Sequence, residues 1–285
     1  MPHSVNFDST EAVSQFVTDT FSRCYPNEKS ALISRVFSDI DAFFKGRNAH
    51  FRANDLKYHN LRHTLMVAAC MSELLEGYHL TAGSVRLSSR DFELGMVGVL
   101  LHDAGYLKLW SDESGTGAKY TFCHILRSCA FAASYLPSVG ATADEVEDVI
   151  AAINCTGATS EIGRLAFKLP SGRILGAALA TADYVAQLAD PLYPSKLVEL
   201  FAEFRESDDY ARVPMEKRPF KTEQDLVRLT PGFWKNVVRP KLENEFGAAY
   251  RMLERPLGSG RNTYLDRIEA NFAAIESRAA ATAGA

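Results

Sequence analysis

The chain lacks any CxxC pair. Its five cysteines, Cys24, Cys70, Cys123, Cys129 and Cys155, are scattered and odd in number, which excludes a zinc ribbon and a complete disulfide framework and fits a reducing, cytoplasmic setting. Runs of like charge are missing too. With 31 basic against 35 acidic side chains and a net charge of -4, neither a nucleic-acid polymer nor an anionic membrane surface is an expected partner. No basic stretch precedes an apolar one in MPHSVNFDSTEA, and the longest apolar run, around Ile174 to Leu188, is interrupted by Asp183. Neither a signal peptide nor a membrane span is therefore expected.

Glycine and proline are also scarce, 18 and 11 in 285 residues, against an average near 12% for the two together. Alternating β-branched stretches are absent, while Leu32, Ile33, Val36, Phe37, Ile40, Phe43 and Phe44 recur at helical spacing. With 47% apolar residues the chain can bury a sizeable core. The expected class is all-α: one helical domain, with helices near 30–44, 60–76, 91–103, 122–136, 142–154, 174–189, 194–206, 223–229, 231–254 and 263–278. Turn signals such as Gly77, Gly105, Pro137 and Gly140 separate them. Ser207 to Thr222, polar and broken by proline, reads as a loop, and the Ala-rich tail 279–285 as a fraying end.

Three polar features stand out against this apolar background. YHNLRHT, residues 58 to 64, holds His59 and His63 four positions apart. On a helix both imidazoles would share one face and address a common centre; a polar helix start with two partly exposed histidines fits equally. LGMVGVLLHDAGYL, residues 94 to 107, is an apolar helix ending in His102-Asp103 and closed by Gly105. That pair is either a histidine at a helix C-terminus beside a solvated carboxylate, or two buried groups in need of a partner. Asp183 is the sole charge in ILGAALATADYVAQL, where an unpaired carboxylate would cost several kcal/mol. Arg173 or Arg164 could compensate it; so could a metal ion shared with His63, His102 and Asp103, since two imidazoles and two carboxylates suit a divalent first-row ion.

The order His63, His102-Asp103, Asp183 resembles the H…HD…D signature of the HD superfamily of metal-dependent phosphohydrolases. YHNLRHT resembles the YHNxxHA stretch of cyclic-nucleotide phosphodiesterases, HDAGY their HDxG turn, and ADYVAQLADPLYPSKL the Asp-bearing helix of bacterial predicted HD phosphohydrolases. The resemblance covers about residues 55–205, with N-terminal helices in 1–54 and C-terminal helices in 206–285 outside it. It implies His63, His102, Asp103 and Asp183 as ligands of one or two divalent ions, with Mn, Mg, Fe, Ni and Zn undistinguished. It also implies Asp103 as the bridging group and His59 as the general acid. His124, opening the next helix, is a candidate second-metal or phosphate contact, with Asn60 and Gln187 supporting ligands or substrate.

The chain departs from the phosphodiesterases at Tyr106, where they carry a histidine. It lacks the HDxxED acids of alarmone hydrolases and the GYP triplet of the cyclic-dinucleotide branch, and no histidine follows His124.

The implied activity is hydrolysis of a small-molecule phosphoester, expected to be a nucleotide, by metal-activated water. Alternatives are a 5'-nucleotidase-type phosphomonoesterase, a non-catalytic metal- or nucleotide-binding HD regulatory module and, more weakly, an HD-type di-iron oxygenase. A homo-oligomer is compatible with all of them. Candidate phosphate-facing cations are Arg62, Lys108 and Lys119. The aromatic residues Tyr184, Tyr193, Phe201 and Phe204 are expected near the site, either as core or as a surface on which a base could stack.

Overall fold

Ser9, Ser30, Asn60, Ser88, Thr142 and Thr222 each place a side-chain oxygen on a backbone N–H of the first helical turn that follows. Such caps stabilise a helix start by about 1 kcal/mol each. A computed structural model describes residues 5–81 and 86–283. Among the described residues there are ten α-helices: α1 (Thr10–Cys24), α2 (Ala31–Phe44), α3 (Leu61–Leu80), α4 (Ser89–Leu101), α5 (His124–Tyr135), α6 (Ala143–Asn154), α7 (Gly172–Leu188), α8 (Tyr193–Tyr210), α9 (Glu223–Phe233) and α10 (Thr263–Ala283). The protein is all-α, and the only extended pairing among the described residues is an isolated bridge between Phe51 and Leu109.

Helix α7 lies at the centre, packed on α3, α4 and α6. Its segment GAALATA, Gly176 to Ala182, is almost free of large side chains, so neighbouring helices approach closely and Asp183 is brought to their junction. One continuous set of buried apolar side chains reaches from Val13 on α1 to Ile275 on α10. The described helices therefore share one main core, with Leu56, Tyr106 and Ala118 forming a small second cluster.

Several expected boundaries shift for physical reasons. Helix α1 falls within the expected N-terminal helices of 1–54 and covers the core with Val13, Val17 and Phe21. Gly77 does not end α3; a Cβ there would lie 2.1 Å from the Met252 carbonyl oxygen, so glycine admits the C-terminal segment against the helix. The expected helix 231–254 is broken. Pro231 sits inside α9, and the chain then widens into π-turns at Trp234–Val238 and Lys241–Glu245 before a 3-10 turn, Ala249–Leu253. Pro240 has no N–H for the carbonyl four residues back, and pairing there moves to five, as from Arg239 N–H to the Trp234 carbonyl. Helix α8 runs to Tyr210, so the loop begins only at 211. Helix α10 continues into the Ala-rich tail as far as Ala283; residues 284 and 285 lie outside the described residues. No described helix is long and apolar enough to cross a membrane.

Candidate metal centre

Asn60 caps α3 by accepting the backbone N–H of His63 at 3.2 Å, and its amide nitrogen donates to the Lys57 carbonyl at 2.6 Å. It thus fixes the backbone of His63 and does not touch the imidazole. His59 lies before the helix begins, so the two histidines are not one helical turn apart; their rings still meet, 5.8 Å between centroids.

His102 is the C-cap residue of α4, and its Nδ1 donates to the Val99 carbonyl at 2.6 Å. That bond sets the tautomer and leaves the Nε2 lone pair facing inward. Asp103 follows directly, and α7 brings Asp183 from the other side.

Four donor atoms converge. His63 Nε2 lies 3.4 Å from Asp103 Oδ2 and 3.3 Å from Asp183 Oδ1, and His102 Nε2 lies 3.4 and 3.7 Å from the same two oxygens. These separations exceed good hydrogen bonds, about 2.7–3.2 Å, and the buried atoms His102 Nε2 and Asp103 Oδ2 have no hydrogen-bond partner. Ligands bonded at about 2.0–2.2 Å to one ion would stand about 3.0–3.6 Å apart; three of the four distances fall in that range, and His102 to Asp183, at 3.7 Å, is slightly wider. The buried group of His63, His102 and Asp103 can therefore hold a metal ion. Asp183 has its carboxylate on the same two imidazoles. The arginine alternatives are not realised: Arg164 pairs with Glu161, and Arg173 lies over the Phe167 ring.

The charges agree with that reading. Burial disfavours the ionised form of Asp183, but the His102 and His63 imidazoles beside it hold its carboxyl well below the usual range. Asp103 is likewise lowered, against its burial, by His102 and the surrounding histidines. Burial alone would depress His102, yet Asp103 and Asp183 outweigh it and push the ring up to about 9. The carboxylates attract positive charge to this point, and a divalent ion would supply it.

Asp103 presents its second oxygen, Oδ1, to His124 Nε2 at 3.9 Å, while His124 Nδ1 donates to the Thr121 carbonyl at 2.7 Å. His124 reaches the site because α5 starts almost in contact with the turn after Asp103. A Cβ on Gly105 would be 1.9 Å from the His124 carbonyl oxygen, and the Gly105 N–H donates to Ser128 Oγ at 2.9 Å. Gly105 thus serves a close approach and not, as expected, the closing of α4.

His59 Nδ1 binds Glu203 Oε2 at 2.6 Å, and the backbone N–H groups of Tyr58 and His59 point at Oε1 of the same carboxylate at 2.8 and 3.4 Å. Burial favours the neutral imidazole, but the bond and charge of Glu203 raise its pKa above the ordinary value. Tyr106 stacks on both His59 and His124, at 4.7 and 4.6 Å, while those two rings are 6.3 Å apart. Two stacking gaps of about 3.5 Å would separate rings on opposite faces by about 7 Å or more. Both imidazoles therefore rest side by side on one face of Tyr106. Gln187 lies against Asp183, its Nε2 donating to the Asp183 backbone carbonyl at 3.2 Å, and accepts from the Tyr58 hydroxyl at 3.0 Å.

A cavity of about 270 Å³ opens beside these groups, bordered by His59, His124, Asp183 and Gln187 at one end. Its wall includes Tyr184, Tyr193 and Phe204, though not Phe201, and continues into Phe220, Leu226 and Phe233. The site thus extends past residue 205 into the part of the chain that the resemblance left out. Arg62 is paired with Asp190 at 2.7 Å, Lys108 with the Gly115 carbonyl, and Lys119 with Asp112. None of these three borders the cavity.

Glu203, Tyr106 and the C-terminal wall were missed in the sequence. Glu203 had a signal: it interrupts the buried stripe Leu197, Leu200, Ser207 of α8 as Asp183 interrupts α7.

Residues 9–128 match the Npun_R2479-like family. The matched stretch contains His59, His63, His102, Asp103 and His124, and ends before Asp183 and Glu203. No curated protein matches the chain.

Proposed function

We propose that the chain is an HD-type metal-dependent phosphohydrolase that cleaves a small phosphoester with water, His59 acting as general acid. The observation that carries this reading is the pair of orphaned buried atoms, His102 Nε2 and Asp103 Oδ2, facing His63 and Asp183. His63, His102, Asp103 and Asp183 would hold a divalent ion, and the free Oδ1 of Asp103 with His124 offers a place for a second. When bound, such an ion supplies Lewis-acid activation of water and neutralisation of phosphoryl charge.

The protein's own residues do the rest. Glu203 accepts the hydrogen bond from His59 Nδ1–H, which favours the imidazolium and leaves its Nε2–H to give a proton to the leaving oxygen as the ester P–O bond breaks. Tyr106 keeps that ring and His124 side by side. Gln187 orients Asp183 through its backbone. The small cavity favours, as a second reading, a phosphomonoesterase of 5'-nucleotidase type.

Protein purified without added metal, then loaded with Mn, Mg, Ni or Zn and assayed on a panel of phosphoesters, tests the proposal. We expect metal uptake that is lost in His63→Ala and Asp103→Ala, and metal-dependent phosphate-ester turnover. Unchanged metal content in the Asp103 variant would overturn the ligand assignment. Metal-loaded protein without turnover would instead favour a binding module.

A further inference from the structure

The wall of the cavity beyond the histidines is unusually poor in groups that bind anions. Among the described residues that border it there is no lysine or arginine. Its threonines are already committed: Thr121 donates to the Ala118 carbonyl at 2.7 Å, Thr156 to Ile153 at 2.8 Å and Thr230 to Leu226 at 2.7 Å. What faces the space instead is Ile125, Leu200, Phe204, Phe220, Leu226 and Phe233. The Tyr106 and Tyr184 hydroxyls are buried at its border without a partner. Two neutral donors suit neutral acceptors and do not offset the charge of a phosphate.

From this wall we infer the substrate class: a phosphoester with one phosphoryl group, at the His/Asp end, attached to an uncharged apolar body of about one or two rings. The inference rests on the phosphohydrolase reading for the reacting end only. A second phosphate would have to sit against Leu and Phe side chains with no cation and only neutral tyrosine hydroxyls as donors, and a buried charge left unpaired is strongly disfavoured. The volume agrees, since about 270 Å³ lies at the lower edge of ligand pockets, roughly 300–1,000 Å³. Leu229 and Phe233 border the cavity yet remain 41% and 38% exposed, so the body enters between them.

Two measurements test this, one of them independent of turnover. With metal-loaded protein, kcat/KM for 1-naphthyl phosphate should exceed that for a nucleoside diphosphate by at least roughly 100-fold. Separately, neutral 1-naphthol should bind the metal-free His63→Ala protein, followed by its fluorescence. Phe233→Lys and Leu229→Lys, both at half-exposed positions that tolerate a charge, should weaken naphthol binding at least about tenfold. Comparable turnover of the diphosphate, or naphthol affinity unchanged in both lysine variants, would overturn the inference. If no phosphoester is turned over but naphthol binds and the lysine variants weaken it, the cavity assignment stands and the phosphohydrolase reading fails alone.

Discussion

At His59 two opposing effects meet: burial favours the neutral ring, while the Glu203 carboxylate at 2.6 Å favours the cation. A bound divalent ion would cancel the contributions of Asp103 and Asp183 to this balance and leave that of Glu203, which sits on the nitrogen turned away from the reacting end. A general acid works in its protonated form, so kcat/KM should fall as pH rises through the His59 pKa. Removing the carboxylate charge in Glu203→Gln lets burial dominate and lowers that pKa. The alkaline limb of the profile should then move to lower pH, with metal content unchanged; an unmoved limb would remove Glu203 from the mechanism. His59→Ala should likewise keep metal and fold, and lose roughly 10²–10⁴-fold on an alkyl phosphoester. A nitrophenyl ester, whose leaving group departs with little protonation, should lose far less. Equal losses on the two substrates would reject the acid role.

Among the elements, α5 and α8 show where sequence reasoning reached and where it stopped. Helices announced by a cap and a periodic apolar face were legible, and so were His63, His102, Asp103 and Asp183, because each lies in a local pattern that is awkward without a partner. Glu203 was not: its partner His59 is 144 positions away, and no local pattern joins them. The cavity wall was hidden for the same reason, since Phe220 and Phe233 come to border the same cavity as Asp183 only once α9 packs on α8. The role of Gly105 also depends on a distant contact, the docking of α5. Gly105→Ala should drive a Cβ into the His124 carbonyl. The expected cost is about 1–3 kcal/mol, typical of overpacking, and is measured by urea unfolding. His124 should be displaced while uptake of the ion at His63, His102 and Asp103 persists. Unchanged stability would mean that α5 is free to shift.

For the whole molecule, the candidate ion site joins α3, the end of α4 and α7, the helices around which the shared core is built. Metal binding there would therefore be coupled to folding, with a definite pH dependence. In the metal-free protein His102 is pushed up to about 9, against an ordinary value of 6.5. A raised histidine contributes stability that is complete below about 6.5 and is lost as pH rises towards 9. Below 9 the ring's proton partly does the work of the ion beside Asp103 and Asp183, and an entering metal must displace it. Apparent metal affinity should rise about tenfold per pH unit for one displaced proton, about 1.4 kcal/mol. The gap in Tm between metal-loaded and chelator-stripped protein should accordingly widen by a few degrees per unit between pH 6.5 and 9. Calorimetry at pH 7.5 in buffers of different ionisation enthalpy should count about one proton released per ion bound. His63→Ala, with the site broken, should show no metal-dependent gap at any pH. A gap that is constant across the range, with no proton released, would mean that His102 is not the group the ion displaces.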